Sequence, residues 1–371
     1  MDAVLTAMVE EKIGPGDRSR LLIQTAKEQL KFDYALALRS PAVALHLALK
    51  AVNAQPGQFV VISALSPRYY LQVLQDLQLT PLYCDVTYDF PCLSKENIEK
   101  TLEQKRSENI INNIDGSMLG SETQSGWLCA IVLHHTLGFV PDTAAISELG
   151  IPVIEDISQS YGNWLSGSKK EKAEGEDDKK EKTESSAENQ LKFDSVFCIV
   201  GLEERDMLTS GGGALLFAMN RKDGLALRNF AGISNEYCLP DINAALAVVQ
   251  FKDIHRNIER RRDIAQMYNQ ACMSLATRTK HKRFLSLGNN EYCNYSFSLI
   301  LETGLKDVIA YAKKKEIEIE NAFENTIAGA GVTDNCPVSN SLVLRTVIFP
   351  MYPSLRSAEI ERISRLVMTL P

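Results

Sequence analysis

The chain has 371 residues, 45% of them hydrophobic and 23% charged, which is enough for one large and one smaller domain with separate cores. A formal net charge of −7 argues against nonspecific binding to nucleic acid or to anionic membranes, because both need a basic face. The sequence begins with no basic segment followed by an apolar run and has no 18-residue apolar stretch, so we expect a cytoplasmic protein outside the membrane.

Apolar runs of strand length alternate with helical patterns along the first 160 residues. Strands are predicted at 59–62, 81–84, 128–133 and 152–154, with helices at 69–79 and 142–149. Continuous apolar strands separated by helices predict a mainly parallel sheet that is covered by helices on both faces. Ligands bind beyond the carboxyl ends of such strands, so Glu155 and Asp156 stand where we expect chemistry.

Two segments break this alternation. Residues 106–126 form a polar insertion without apolar periodicity. Residues 169–188 carry charged and small residues and not one large apolar side chain. Such a stretch cannot bury enough surface to offset the entropy lost on ordering, so 167–190 is predicted to be a disordered loop.

The pattern changes after residue 240. An amphipathic helix is predicted at 242–267, with Arg256, Arg260, Arg261 and Arg262 on a face that acidic residues interrupt, which favours a solvated surface. Mixed strand and helix patterns follow and end in a helix at 357–368. We therefore divide the chain into a large α/β domain at 1–240 and a smaller α+β domain at 241–371.

Eight cysteines stand singly, without any Cys-x-x-Cys pair, and most lie in apolar runs. This usage is typical of reduced, buried thiols, so we expect neither disulfides nor a metal site.

Six segments, in order along most of the chain, resemble the DegT/StrS-type sugar aminotransferases of the aspartate aminotransferase superfamily. The most specific is V-I-E-D-I-S-Q-S-Y-G at 153–162, similar to the family's V-I-E-D-A-A-Q-A-x-G. The others are R-S-P-A-V-A-L-H-L-A-L at 39–49, the stretch 57–85, H-T-L-G-F-V-P-D at 135–142, the helix 241–268, and F-P-M-Y-P-S-L at 349–355.

The resemblance implies the fold of the pyridoxal phosphate (PLP)-dependent transferases: a large α/β domain whose mainly parallel sheet is sandwiched by helices, and a smaller C-terminal α+β domain. It also implies a homodimer with active sites at the subunit junction, and a place in polysaccharide or nucleotide-sugar metabolism.

The resemblance also assigns cofactor-binding positions. Asp156 matches the residue that pairs with the ring nitrogen, and Gln159 the residue that contacts the phenolic oxygen. Ser40 and Ala42 lie at the family's Ser-Gly-Thr phosphate turn, but Pro41 removes one amide donor and Ala42 lacks the hydroxyl. Losing two hydrogen bonds to a charged group costs on the order of 3 to 6 kcal/mol of cofactor affinity.

The aromatic residue that stacks on the ring in the family is also replaced. The gap-free match puts Ser66 and Pro67 there. Tyr69 and Tyr70 follow closely, but they are expected to point elsewhere, because they lie inside the next predicted helix.

No lysine stands where the family forms its Schiff base. Counting back from Gly212-Gly213 puts Arg205 at that position, and counting forward from Asp194 puts Glu204 there. No lysine occurs anywhere from 193 to 221. Arginine stays protonated and glutamate has no amine, so neither can form the imine or move the proton.

These losses favour a non-catalytic protein with no catalytic residue and no cofactor bound as purified. Such a protein forms a homodimer, or a heterodimer with an active paralogue, and a nucleotide-sugar is a candidate ligand. The family's N-Y-R-M turn, which reads E-Y-C-L from Glu236, is altered as well.

Two enzymatic alternatives stay open. One is a PLP- or pyridoxamine phosphate-dependent aminotransferase or dehydratase acting on a nucleotide-linked keto-sugar. Dehydratases of this family carry a histidine in place of the lysine, and no histidine falls there, although His134 and His135 lie at a strand end. The other is ordinary transamination with the lysine relocated to Lys192 or Lys222.

Overall fold

The computed structural model describes residues 2–11, 13–30, 32, 34–108, 110, 127–162, 195–230, 232–276, 280–285, 294–302, 304–333 and 335–371. The loop predicted at 167–190 lies outside these residues, and so does the polar insertion predicted at 106–126 apart from its first few residues.

A seven-stranded sheet forms the centre of the larger part of the chain. Its strands are β1 (Tyr34–Leu38), β2 (Phe59–Ser63), β3 (Thr80–Cys84), β4 (Leu128–His134), β5 (Val153–Asp156), β6 (Phe197–Gly201) and β7 (Ala214–Ala218), in the spatial order β1-β7-β6-β5-β4-β2-β3. The five neighbouring strands β3, β2, β4, β5 and β6 run parallel to one another, whereas β7 is antiparallel to both of its neighbours, β6 and β1. The predicted mainly parallel sheet is therefore confirmed.

Helices cover both faces of this sheet. The helices of the described residues, including those of the C-terminal part, are α1 (Asp2–Val9), α2 (Asp17–Leu30), α3 (Pro41–Ala51), α4 (Tyr69–Asp76), α5 (Lys95–Ser107), α6 (Thr143–Ser147), α7 (Arg221–Arg228), α8 (Asp241–Ala276), α9 (Leu305–Lys314), α10 (Pro337–Val343) and α11 (Ser357–Met368).

Successive strand residues pack on opposite faces, as strand geometry requires. In β5, Val153 joins the cluster that includes α5 and α6, and Ile154 joins the cluster that includes α3 and α4. The same alternation places Glu155 on the first of these faces and Asp156 on the second.

The C-terminal part has its own small antiparallel sheet. Its strands are β8 (Phe297–Ile300), β9 (Glu320–Asn321) and β10 (Thr346–Phe349), in the order β8-β10-β9. Helices α9 and α11 pack on it together with the second half of α8, which contributes Ile264 and Tyr268 to a separate core. The α+β character predicted for this part agrees with these elements, and the division at residue 240 remains our proposal. None of the helices in the described part of the chain is long and apolar enough to span a bilayer.

Asp241 links the first turn of α8 to the first turn of α2. It is 3% exposed at the first residue of α8. Its Oδ1 accepts hydrogen bonds from the backbone N–H groups of Gly16 and Ser19, each at 2.9 Å, and its Oδ2 accepts one from Arg18 N at 3.1 Å. The carboxylate thus satisfies the free amides at the start of α2, which no intrahelical partner can reach.

Asp241→Ala should lower the free energy of unfolding by about 2–5 kcal/mol, because the part-buried amides of Gly16 and Arg18 and the buried donors of Ser19 lose their acceptor together. Urea denaturation followed by circular dichroism measures this loss. The matched control is Asp253→Ala on the same helix, whose carboxylate pairs with the exposed Arg256, and it should cost under about 1 kcal/mol. Equal losses in the two variants would refute the role given to Asp241.

Candidate functional site

Asp156 ends β5 at the carboxyl edge of the sheet and is 1% exposed. Its Oδ2 accepts hydrogen bonds from the hydroxyls of Tyr69 at 3.0 Å and Tyr70 at 2.8 Å. Its Oδ1 accepts from the backbone N–H of Ser158 at 3.1 Å and from the Ser158 hydroxyl. Four donors from two elements therefore surround one buried carboxylate.

Tyr69 and Tyr70 pack in the cluster of α3 and α4, as the preferred packing role predicts, but their hydroxyls also reach Asp156, a contact that was not predicted. Helix α4 begins at Tyr69, so both tyrosines lie in its first turn, and their rings meet edge to face at 5.0 Å. From there the long phenol side chains reach back to the end of β5. Burial, together with the negative charge of Asp156, raises the pKa of both phenols, so that both remain protonated donors.

The turn after β6 presents a different residue from the two that counting suggested. Glu204 is exposed, and the Arg205 side chain points outward and pairs with Glu320 at 2.7 Å. Asp206 turns inward, and its Oδ2 accepts a hydrogen bond from Glu203 N at 2.8 Å. Burial, and then the charge of Asp156, raises the pKa of the Asp206 carboxyl to about 8.

Gly201, the last residue of β6, makes room for this arrangement. A Cβ added there would lie 2.1 Å from Asp206 Oδ2 and 2.8 Å from Ser158 Oγ. The Gly201 N–H donates to Ser158 Oγ at 2.7 Å. Asp206 and Ser158 can approach each other only because this position has no side chain.

Sequence reasoning missed Asp206, Ser158 and the two tyrosines as members of the site. The acidic run Glu203-Glu204 with Asp206 directly after a buried strand was a signal for the first. The hydroxyl of Ser158, where the resembled pattern has alanine, was a signal for the second.

Gln159 supports a neighbouring turn. Its Oε1 accepts a hydrogen bond from Leu137 N at 2.7 Å. Leu137 has φ 55°, a left-handed backbone conformation that is costly for leucine and needs such support. Gln159 therefore lies close to Asp156 along the chain, while its carbonyl oxygen faces the 136–138 turn.

Ser40 and Ala42 stand at the start of α3. The Ser40 hydroxyl oxygen accepts a hydrogen bond from Val43 N at 3.3 Å and so caps the helix. Pro41 is the first helical residue, and Ala42 packs against the buried cluster beneath α3. Arg39 donates to the carbonyl oxygens of Glu236 and Tyr237, which places the altered Glu236 turn beside Ser40.

The two histidines at the end of β4 have separate environments. His135 is fully buried between Ser160 Oγ, at 2.6 Å from Nδ1, and Glu155 Oε2, at 3.0 Å from Nε2. Because Glu155 and Asp156 lie on opposite faces of the sheet, the bond to Glu155 directs His135 to the face opposite to the tyrosines. His134 lies edge to face with Tyr70, and burial lowers the pKa of its ring. These contacts favour the packing interpretation for His135.

A cavity of about 1100 Å³ lies between the turn after β6, the middle of α8 and the C-terminal sheet. Asp206, Arg256 and Tyr295 are among its lining residues. Two arginines of α8 that were expected to be solvated instead donate hydrogen bonds to carbonyl oxygens of the C-terminal part. Arg260 donates to Leu355 O at 2.9 Å, and Arg261 donates to Tyr295 O at 2.6 Å and Met351 O at 2.7 Å.

In the described ranges, no group of three or more His, Cys, Asp or Glu side chains is placed to hold a metal ion.

Comparison with known proteins identifies the fold. The model of the DegT/DnrJ/EryC1/StrS aminotransferase family matches residues 1–178 and 215–368. Among solved structures, a DegT DnrJ EryC1 StrS aminotransferase from Brucella abortus has a TM-score of 0.78 at 17% identity, covering 99% of this chain and 93% of that chain. The aminotransferase TlmJ from Streptoalloteichus hindustanus has a TM-score of 0.74 at 16% identity, with 99% and 94% covered. DesV of S. venezuelae, in complex with a ketimine intermediate, has a TM-score of 0.75 at 16% identity, with 99% and 92% covered.

The raised pKa of Asp206 predicts how stability depends on pH. Between the ordinary pKa of 3.8 and the folded value of about 8, the folded state holds a proton that the unfolded state has released. The free energy of unfolding should therefore fall as pH rises through this range, and level off above it.

Asp206→Asn should flatten this slope, because the amide keeps an acceptor oxygen but does not titrate. Urea titrations at several pH values between 5 and 9, as an approximate window around the cited pKa, measure the slope. Glu204→Gln, an exposed neighbour, is the control and should keep the slope of the wild type. An unchanged slope in Asp206→Asn would contradict the prediction.

Proposed function

Because the chain belongs to the DegT/DnrJ/EryC1/StrS aminotransferase family, we propose that it is a non-catalytic homologue of the sugar aminotransferases. It keeps the family's fold and has given up the Schiff-base chemistry of PLP. The observation that carries this proposal is the turn after β6, where the carboxyl of Asp206 turns inward beside Ser158 while Glu204 and Arg205 are exposed.

The chemistry of the cofactor explains why an amine is needed. PLP acts as an electron sink, and it depends on a protein amine that forms a reversible imine and moves protons between carbon atoms. A carboxylate such as Asp206 can hold a proton, but it cannot form an imine. Asp206, at the inward position of this turn, therefore cannot form the imine that the family's lysine forms.

A relocated Lys222 does not meet the requirement. It is exposed at the start of α7, just after β7. Because β7 runs antiparallel to β6, Ala218 at its end pairs with Phe197 at the start of β6, whereas Asp156 pairs with Ile199 further along. Lys222 thus follows the edge of the sheet opposite to the one that carries Asp156. Lys192 lies outside the described residues.

The start of α3 fits the cofactor's phosphate poorly. A helix N-terminus attracts anions through its free amides. Here Pro41 has no N–H, Ala42 has no hydroxyl, and Ser40 Oγ accepts the hydrogen bond of Val43 N. The two ranges that match the family model leave out residues 179–214, which contain the turn after β6, and this departure also supports the proposal.

Family membership favours the alternative function, a PLP- or pyridoxamine phosphate-dependent aminotransferase or dehydratase that acts on a nucleotide-linked keto-sugar. Asp156 and Gln159 remain at the positions of the family's ring contacts, and the cavity beside Asp206 can admit a small molecule. This alternative requires an amine from outside the described residues or from a partner.

We further propose a cytoplasmic homodimer, or a heterodimer with an active paralogue, in polysaccharide or nucleotide-sugar metabolism. Exposed apolar side chains support an interface: Leu5 and Met8 on α1 are 50% and 55% exposed, and Leu246 and Val249 on α8 are 40% and 37% exposed. Helices α1 and α8 pack together, so these residues belong to one region of the surface.

The cofactor prediction is tested on the purified protein. It should lack the yellow colour of an internal imine, borohydride should fix no pyridoxal on any lysine, and glutamate should donate no amino group to keto-sugars. Arg205→Lys should stay inactive, because that side chain points outward to Glu320. A borohydride-reducible adduct with turnover in the wild type would establish the enzymatic alternative.

The dimer prediction is tested by sedimentation at micromolar concentration. Leu246→Glu should shift the protein toward the monomer, because a charge at an apolar contact must be desolvated. Leu344→Glu, at an exposed position of the C-terminal part, is the control and should leave the sedimentation coefficient unchanged. A stable monomer in the wild type would refute the homodimer.

A further inference from the structure

We propose that Tyr69 and Tyr70 close the site around Asp156, because their hydroxyls occupy the acceptor positions that the ring nitrogen of a pyridine cofactor would need. This inference rests on the proposed function and names the residues that keep the site closed.

The hydrogen-bonding capacity of the carboxylate is used up. An ionised carboxylate offers about four lone-pair sites, two on each oxygen. On Asp156 the two phenol hydroxyls take those of Oδ2, and the backbone N–H and hydroxyl of Ser158 take those of Oδ1. A protonated ring nitrogen would have to displace one of these four donors.

Displacement is costly because the donors are held in place. Tyr70 is fully buried in the cluster shared by α3 and α4, so its hydroxyl cannot turn to water. Ser158 is 5% exposed, and its Oγ also accepts the hydrogen bond of Gly201 N. A displaced Tyr70 hydroxyl would lose its bond to a charged acceptor in a buried place, which is among the more expensive polar losses. Tyr69 is only half-buried and is the easier of the two to move.

The site is closed by the hydroxyl groups of the two tyrosines, since these are the donors to Asp156 Oδ2. Both hydroxyls donate to the same oxygen, at 3.0 and 2.8 Å, and phenylalanine at these positions would keep the rings while removing the donors. The double substitution Tyr69→Phe and Tyr70→Phe therefore frees both lone pairs of Oδ2 with little change in packing.

The test measures binding of PLP by equilibrium dialysis to the wild type and to this double variant. The double variant should bind about ten- to a hundredfold more tightly, the gain expected from one hydrogen bond to a charged group. Adding Asp156→Asn to it should abolish the gain, because the freed acceptor then loses its charge.

Tyr161→Phe is the matched control. Tyr161 is also fully buried, but it donates its hydroxyl to Gln29 Oε1 at 3.1 Å and not to Asp156, so its loss should leave PLP binding as in the wild type. If the double variant does not fold, as judged by thermal melting, Tyr69→Phe alone carries the test and should show a smaller gain.

The outcomes separate this inference from the proposed function. Equal affinities of the wild type and the Tyr→Phe variants would overturn the inference and leave the proposed function intact. An equal gain in Tyr161→Phe would also overturn it. A reducible adduct with turnover in the wild type would overturn the proposed function, whatever the ratio of affinities between the variants.

Discussion

The buried carboxylate of Asp156 is the constraint around which the site is organised. A charged group in the interior needs hydrogen-bond donors, or its burial would oppose folding. The protein supplies them from α4, through Tyr69 and Tyr70, and from the turn after β5, through Ser158. The orientation of α4 against the end of β5 and the conformation of the following turn are both coupled to this one residue.

A second acid, Asp206, lies in the same region, where burial and the charge of Asp156 disfavour its ionised form. Its raised pKa keeps it largely protonated near neutral pH, so two negative charges do not face each other. Gly201 provides the space, and Arg205 on the same turn pairs with Glu320 of the C-terminal sheet. The turn after β6 thus joins an internal polar network to the C-terminal part of the chain.

The fold was largely predictable, because apolar runs of strand length and helical patterns indicate which segments are buried in the sheet and which cover it. The apolar run at 59–62 became β2, and the helix at 357–368 coincides with α11. Helix 242–267 extends to Ala276, since nothing in its sequence breaks the helical pattern. For the site, Asp156 was found from its place after a strand. The hydrogen bonds of Tyr69 and Tyr70 to Asp156 were not predicted, because side-chain direction in the first turn of a helix depends on where that helix starts, and the sequence pattern did not fix that start.

The sequence by itself determined the family, the parallel sheet and the absence of a lysine from 193 to 221, because periodicity, motif order and residue identity are local properties. Only the tertiary structure decided which residue of the turn after β6 faces inward, and it is Asp206 rather than Glu204 or Arg205. It alone also decided that the hydroxyls of Tyr69 and Tyr70 meet on one oxygen of Asp156. The reason is physical: these positions are set by the packing of α4 and the turn against strand ends more than 40 residues away in each case, which no local pattern encodes.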